Sequence, residues 1–248
     1  MIRALLLAAG LGTRLRPITN SVPKCLVEIN GRPLLDYWIE LLSAGGIADI
    51  LINLHYLPDA VRAYVKKCPY PVHITTVYED KLLGTGGTLL RNRTFFQQDP
   101  VMIIHADNLS LFDMSAFRAR FRGRDKMIDI TMMTFDAETP EACGIVELDE
   151  RGVVRAFHEK VAVPPGNLAN AAVYILAPTV MDFIAKIGKD TIDFSTEVLP
   201  HFMGRINTFH NDLYHRDLGT AESLLAAQRE YPAAVAKHRQ GNPGETRG

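Results

Sequence analysis

The opening of the chain constrains its fold more than any other stretch. Ile2 to Ala9 is an apolar run broken only by Arg3, and it leads without a spacer into Gly10 and Gly12. Such a run predicts a strand buried on both faces, as inside a parallel sheet. The glycines at its end predict a tight turn free of side chains, whose backbone N–H groups can approach phosphate oxygens closely. Thr13 adds a hydroxyl, while Arg14, Arg16 and Lys24 add positive charge. The stretch suits a polyphosphate. Two commoner phosphate motifs do not fit it: a dinucleotide fingerprint needs glycine at Leu15, and a Walker loop needs Gly-Lys at Leu15-Arg16.

Beyond Lys24 the pattern alternates. Cys25 to Asn30 predicts a short strand-like piece, and Leu34, Leu35, Trp38, Leu41 and Leu42 recur at helical spacing up to Gly45-Gly46. Ile47 to Leu54 predicts a strand, Ala60 to Lys67 a helix, and Val72 to Tyr78 and Val101 to Ala106 two further strands. Alternation of this kind implies an α/β, Rossmann-like class: a mostly parallel mixed sheet with helices on both faces. Leu83-Gly84-Thr85-Gly86-Gly87-Thr88 is a second glycine cluster, predicted to be a loop that enters a helix at Leu89. Ligands of open α/β sheets bind beyond the carboxyl ends of the strands, so this loop should share a rim with Gly10 to Arg14. Asp107 and Asn108 follow the Val101 strand onto the same rim. A carboxylate there is a hard oxygen ligand suited to Mg2+.

From Ile128 to Phe135 and from Gly144 to Phe157, short strands with a hairpin signal at Asp149 to Gly152 replace the alternation. They predict a smaller antiparallel subregion. Gly144 would let another group approach backbone closely, while Glu159 and Lys160 alone read as a solvated charge pair. The expected organisation is one domain over residues 1–231, with a first half to about 125 and a second from about 126. A flexible tail is expected over 232–248, where the composition from Gly241 is that of a disordered end.

Composition narrows the partners. The 27 basic and 28 acidic residues give a net charge near −1, so no global field recruits nucleic acid or an acidic membrane surface. Any anion site must be local. Cys25, Cys68 and Cys143 are far apart and show no C-x-x-C spacing, which argues against a zinc site or a disulfide framework. No segment reaches about 18 unbroken apolar residues, so a soluble cytoplasmic protein is expected. A homo-oligomer is left open.

Taken together, the run from Gly10 to Lys24 reads G-x-G-T-R-L-x-P-x-T-x-x-x-P-K, and in it the chain resembles the sugar-1-phosphate nucleotidyltransferases. Cys143-Gly-Ile-Val, Phe157-His-Glu159-Lys160 and Asn170-Ala-Ala-Val-Tyr174 resemble that family's Y-G-V-V, F-x-E-K-P and N-A-G-I-Y segments, in order. Tyr214-His-Arg-Asp217-Leu-Gly-Thr resembles its W-x-D-I-G-T. Ala106 stands where the family has a glycine, Val161 where it has a proline, and Tyr214 where it has a tryptophan. The resemblance spans about residues 2 to 225 and implies site residues. It places the nucleotide on Leu7, Ala9, Gly10, Gly12, Thr13 and Arg14, and the base by Glu79, Gly84 and Thr85. It places the sugar phosphate on Asn108, Gly144, Glu159, Lys160 and Asn170. Mg2+ would sit on Asp107 and Asp217, with Arg14, Lys24 and Lys160 facing the negative charge.

The implied reaction joins a nucleoside triphosphate to a sugar 1-phosphate and releases pyrophosphate. Its chemistry is mainly positioning and charge neutralisation, so no nucleophilic side chain is required and His55, His105 and His158 are expected to be packing or surface residues. A carboxylate at Glu79 could accept from both N1–H and the exocyclic amine of guanine, which favours GTP. The Leu-Gly-Thr-Gly-Gly loop and the chain length resemble the guanylyltransferases for D-glycero-alpha-D-manno-heptose 1-phosphate. Mannose 1-phosphate comes next, then a uridylyltransferase for a hexose or amino-sugar phosphate. A non-catalytic nucleotide-sugar-binding regulatory subunit would be expected to have lost Arg14, Lys24, Asp107 or Asp217, and all four are present.

Overall fold

Strand β1, Arg3–Leu7, lies inside the main sheet because neither of its faces can be left in water. Successive side chains of a strand point to opposite faces. Ala4 and Leu6 enter one apolar cluster and Leu5 another, all fully buried. Strand β6, Val101–His105, divides in the same way, with Met102 and Ile104 in the first cluster and Val101 and Ile103 in the second. The computed structural model describes residues 1–241. In it β1 is flanked in parallel by β6 and by β4, Asp49–Leu54, with Leu5 opposite both Leu51 and Ile103. Strand β5, His73–Tyr78, adds to β4 in parallel.

On the other side of β6 the direction changes. Strand β11, Leu168–Leu176, is antiparallel to β6 and pairs with both β8, Ile130–Asp136, and β9, Gly144–Leu148. Strand β10, Val154–Glu159, closes a hairpin with β9, and β12, Ile206–His210, runs parallel to β8. The antiparallel strands expected from the second half therefore continue the main sheet, and the mixed sheet has 9 strands among the described residues. The predicted hairpin turn is present: Asp149 Oδ1 accepts from the N–H groups of Arg151 and Val153, both at 2.9 Å.

Helices cover both faces, as the two-sided burial demands. Over the first cluster lie α1, Leu34–Ala44, α2, Pro58–Val65, and α5, Met114–Arg122, through Trp38, Leu42, Val61 and Phe117. Over the second lie α3, Gly84–Arg91, α4, Arg93–Phe96, and α6, Pro178–Lys186, through Leu89, Phe96, Val180 and Ile184. Each fully buried Leu, Ile or Phe contributes about 1.5–3 kcal/mol over its exposed state. A separate ribbon pairs β7, Asn108–Leu111, with β13, Tyr214–Asp217, antiparallel and with Asp217 opposite Asn108.

Three expectations need correction. Cys25 to Asn30 is not a strand: Lys24–Leu26 is a 3-10 turn, and only β2, Glu28–Ile29, pairs, with β3, Arg32–Pro33. Its apolar residues serve two clusters, Cys25 the first and Val27 and Ile29 a third under the glycine turn. The second glycine cluster is not a loop but the first turn of α3, which starts at Gly84. The glycines are there because another segment crosses the helix, and Gly86 N–H donates to Ile192 O at 3.0 Å. Finally, residues 232–241 are not a tail but the last part of α7, Ala221–Gly241. Tyr231, Ala234, Val235 and His238 are half-buried, a spacing that continues an amphipathic stripe past Pro232. Residues 242–248 lie outside the described residues.

The crossing over α3 gives a direct test. A β-carbon at Gly87 would stand 2.2 Å from Asp190 O, a backbone atom that cannot swing away. Gly87→Ala should therefore cost about 1–3 kcal/mol and lower Tm by several degrees, measured by thermal denaturation.

Candidate active site

The carboxyl end of β1 is shaped from beneath by an amide. Asn53, buried in β4, accepts the Ala8 N–H on Oδ1 at 2.9 Å and fixes the point where the strand turns. Beyond it Gly10 is exposed with no atom within 4 Å of where a β-carbon would stand. Gly12 is different: its φ is +63°, and a β-carbon would meet Thr19 Cγ2 at 2.9 Å. Thr19 donates to Gly12 O at 2.7 Å, which ties the turn to the chain that follows. Thr13–Leu15 completes it as a 3-10 turn with Leu15 buried beneath and Arg14 exposed above.

A pocket of about 210 Å3 opens beside this turn. Leu7, Ala9, Gly10, Glu79, Gly84 and Thr85, expected on the nucleotide, line it with Lys24 and with Asp107, expected on the metal. Thr88 of the second glycine cluster also lines it, as do Asn53, Leu82 and His105, none of which was expected there. Glu79 is 1% exposed, and its Oε1 accepts from Thr88 Oγ1 at 2.6 Å and from Asn53 Nδ2 at 3.2 Å. Asn53 thus orders the end of β1 with its oxygen and a wall of the pocket with its nitrogen. The signal was in the sequence: Asn53 is the one amide in the apolar run Ile50-Leu-Ile-Asn-Leu54. His105 lies with Nε2 3.5 Å from Thr85 Oγ1. Burial pushes its imidazole down.

The charged centre lies at one end of the pocket. Lys24 Nζ sits 2.8 Å from Asp107 Oδ2 and 3.4 Å from Asp217 Oδ1, and Arg14 reaches to 3.7 Å from Asp217 Oδ2. Crowding alone would raise the Asp107 carboxyl, but the Lys24 ammonium, followed by His105, holds it below the usual carboxylate range. Asp107 and Asp217 meet because each adjoins or ends a strand of the β7–β13 ribbon, and Leu218 N–H donates to Asp107 O at 3.2 Å. The ribbon is pinned by Trp38 Nε1, which donates to Asn108 O at 2.7 Å, and by Ser110 Oγ with His215 Nδ1 at 2.6 Å.

The expected sugar-phosphate residues lie outside the pocket lining. Asn108 turns its amide to Ala171 O at 3.3 Å. Asn170 donates to the Tyr174 hydroxyl and accepts the Ala172 N–H at 3.0 Å, a brace for the bulge in β11 where Ala172 has φ +54°. Gly144 stands opposite Glu159 in the β9–β10 pair, and a β-carbon there would meet Phe157 at 2.6 Å and Glu159 Oε2 at 2.9 Å. Lys160 follows with Nζ 3.5 Å from Glu159 Oε1. Beside it burial pushes the Cys143 thiol up, with the charge of Asp217 adding to the rise and that of Lys160 opposing it.

The donor set suits a hard divalent ion. Two carboxylates already gather around a cation, the Lys24 ammonium, and Mg2+ commonly takes one or two carboxylates and completes its shell with water and substrate phosphates. Among the described residues no group of three or more His, Cys, Asp or Glu could hold a metal by itself. Such an ion would complete its shell with water and, where one is bound, a phosphate-bearing ligand.

Residues 3–234 match the model of the nucleotidyl transferase family. The chain belongs to that family. The mannose-1-phosphate guanyltransferase of Schizosaccharomyces pombe is 30% identical over 251 residues, 96% of this chain and 66% of that protein. The enzyme of the same name from Pichia angusta is 30% identical over 247 residues, 95% of this chain and 66% of its own. The chain thus spans 66% of the length of these curated relatives. HddC from Yersinia pseudotuberculosis, solved complexed with GMP-PN, superposes with a TM-score of 0.77 at 26% identity, covering 93% of this chain and all of that one. A UDP-glucose pyrophosphorylase from Acinetobacter baumanii gives 0.79 at 20% identity, with 97% and 98% covered, a likeness of fold. Among the described residues no helix is long and apolar enough to cross a membrane.

In this family member the open space at Gly10 separates fold from ligand. Gly10→Ala should leave Tm within about 2 °C, because the β-carbon meets nothing. It should raise the triphosphate KM several-fold by blocking approach to the turn. Thermal denaturation and steady-state kinetics on the same preparation check both.

Proposed function

We propose that this chain is a guanylyltransferase that makes a GDP-sugar and pyrophosphate from GTP and a sugar 1-phosphate, with mannose 1-phosphate as the first candidate. The observation that carries the reading is Glu79. Its carboxylate is buried in the pocket that also holds Lys24 and Asp107, and its Oε1 is fixed by Asn53 and Thr88. A fixed carboxylate is the acceptor that guanine N1–H and N2–H2 require, and uracil, thymine and cytosine cannot offer that pair of donors in the same way. The sequence alone had favoured the heptose. The relatives at 30% identity carry the mannose name, and they move mannose 1-phosphate ahead of it.

In this reading the turn at Gly10 presents backbone N–H groups to the triphosphate while Glu79 holds the base. A phosphate oxygen of the sugar 1-phosphate attacks the α-phosphorus, the bond from that phosphorus to the bridging oxygen breaks, and pyrophosphate leaves with the electron pair. The attacking phosphate is already ionised at neutral pH, so no base is needed. Lys24 and Arg14 face the charge that builds on the transferred group, where a fixed cation lowers the barrier most. Glu159 and Lys160 would take the sugar hydroxyls and its phosphate. Asp107 and Asp217 would hold Mg2+, which when bound neutralises phosphate charge.

A pyrophosphate-release assay of GTP, inosine triphosphate, UTP, dTTP and CTP against mannose, manno-heptose, glucose and N-acetylglucosamine 1-phosphates tests the proposal. GTP with mannose 1-phosphate should give the highest kcat/KM, and a preference for UTP with glucose 1-phosphate would refute it. Glu79→Gln presents one acceptor and one donor, so GTP use should fall by roughly 1–3 kcal/mol, or about 5- to 150-fold in kcat/KM. Inosine triphosphate should be a poorer substrate of the native protein and less affected by the change. Equal losses for every triphosphate would mean that Glu79 shapes the pocket without reading the base. Asp107→Asn and Asp217→Asn should each lower kcat by at least about 100-fold, as expected when reacting groups are misplaced. Near-native rates in saturating Mg2+ would remove both from the metal.

A further inference from the structure

Taking Asp107 and Asp217 as the metal pair, as proposed above, the structure raises a question of electrostatics. The pair is already bridged by a cation that belongs to the protein. Lys24 Nζ lies 2.8 Å from one carboxylate and 3.4 Å from the other, and its side chain is 8% exposed. Those two are its ion-pair partners among the described residues. With Nζ 2.8 Å from Asp107 Oδ2, an ion bound to that oxygen at about 2.1 Å would stand no more than about 5 Å from the ammonium. Like charges that close repel, and the burial of the Lys24 side chain limits the solvent that could screen its ammonium. The ion cannot enter on favourable terms while Lys24 stays. What could move it is on the same wall: Lys24 and Asp107 line the pocket that Gly10 opens onto, so an anion held at that turn competes with the carboxylates for the ammonium.

We infer that Lys24 is a built-in counter-ion that keeps the metal pair closed in the free protein, and that the triphosphate draws it off. Metal and nucleotide then bind as partners, each favouring the other through one side chain, as reciprocal coupling requires. Lys24 therefore has two effects of opposite sign. It opposes the metal when nucleotide is absent, and it favours the nucleotide when metal is absent.

The test uses Mn2+ as the probe, titrated into nucleotide-free protein and followed by the loss of its free EPR signal. Lys24→Met should bind Mn2+ at least about fivefold more tightly than the native protein, whereas Lys24→Arg, which keeps the charge, should stay near it. In EDTA, the same Lys24→Met should bind GTP at least about threefold more weakly by calorimetry. A lysine that only supported the fold would weaken both. If circular dichroism shows that Lys24→Met does not fold, Lys24→Gln takes its place. A folded neutral variant that binds Mn2+ no more tightly than native, while Asp107→Asn loses Mn2+, overturns the inference and leaves the metal pair standing. No Mn2+ binding by either protein at millimolar concentration overturns the metal pair and the inference with it.

Discussion

Burial of both faces of β1 is the constraint on which the rest depends. A strand with apolar residues at Ala4, Leu5 and Leu6 has no side to give to water, so it needs helices above and below and a strand at each edge. Once β4 and β6 pair with it in parallel, three carboxyl ends arrive at one rim. The glycine turn, Glu79 beyond the neighbouring β5 and Asp107 beyond β6 then share a pocket although they are far apart in the chain. The chemistry sits where it does because the sheet leaves no other place for it.

The second carboxylate comes from a different device. Asp217 reaches the rim on a two-stranded ribbon that is separate from the main sheet. An isolated pair of strands is marginal in water, so its position depends on what it packs against. Trp38 reaching Asn108 O, His215 bonded to Ser110 and packed on Phe135, and Leu109 with Leu218 in the third cluster supply that support. Burial pushes the His215 imidazole down to about 3, so it stays neutral between the strands across ordinary pH.

Much of this was legible in residues 1–110 because those strands are continuous apolar runs, and their period and length give them away. Val101 to His105 and the position of Asp107 after it needed no tertiary knowledge. Gly84 to Gly87 were misjudged for a physical reason: glycine in a helix looks like a breaker to local propensity, and only the backbone of Asp190 and Ile192 pressing on α3 explains it. Cys25 to Asn30 failed because its apolar residues divide between two clusters in place of one sheet face. Asn53 escaped notice because its worth lies in a register that brings β4 beside β1 and α3 beneath Glu79. Tyr231 to His238 repeat at helical spacing, but composition near the end drew attention away from periodicity.

The third cluster has a wider meaning. Leu15 under the phosphate turn, Leu218 just past Asp217, and Leu224 and Ala227 of the last described helix share one small apolar core. Tyr231 extends it by edge contacts with Tyr37 and Tyr214 at 5.2 and 5.6 Å. The turn beside the pocket and α7 therefore rest on the same buried side chains, and a change in the packing of one meets the other. A helix from the far end of the described sequence is thereby part of the floor on which the first glycine turn sits.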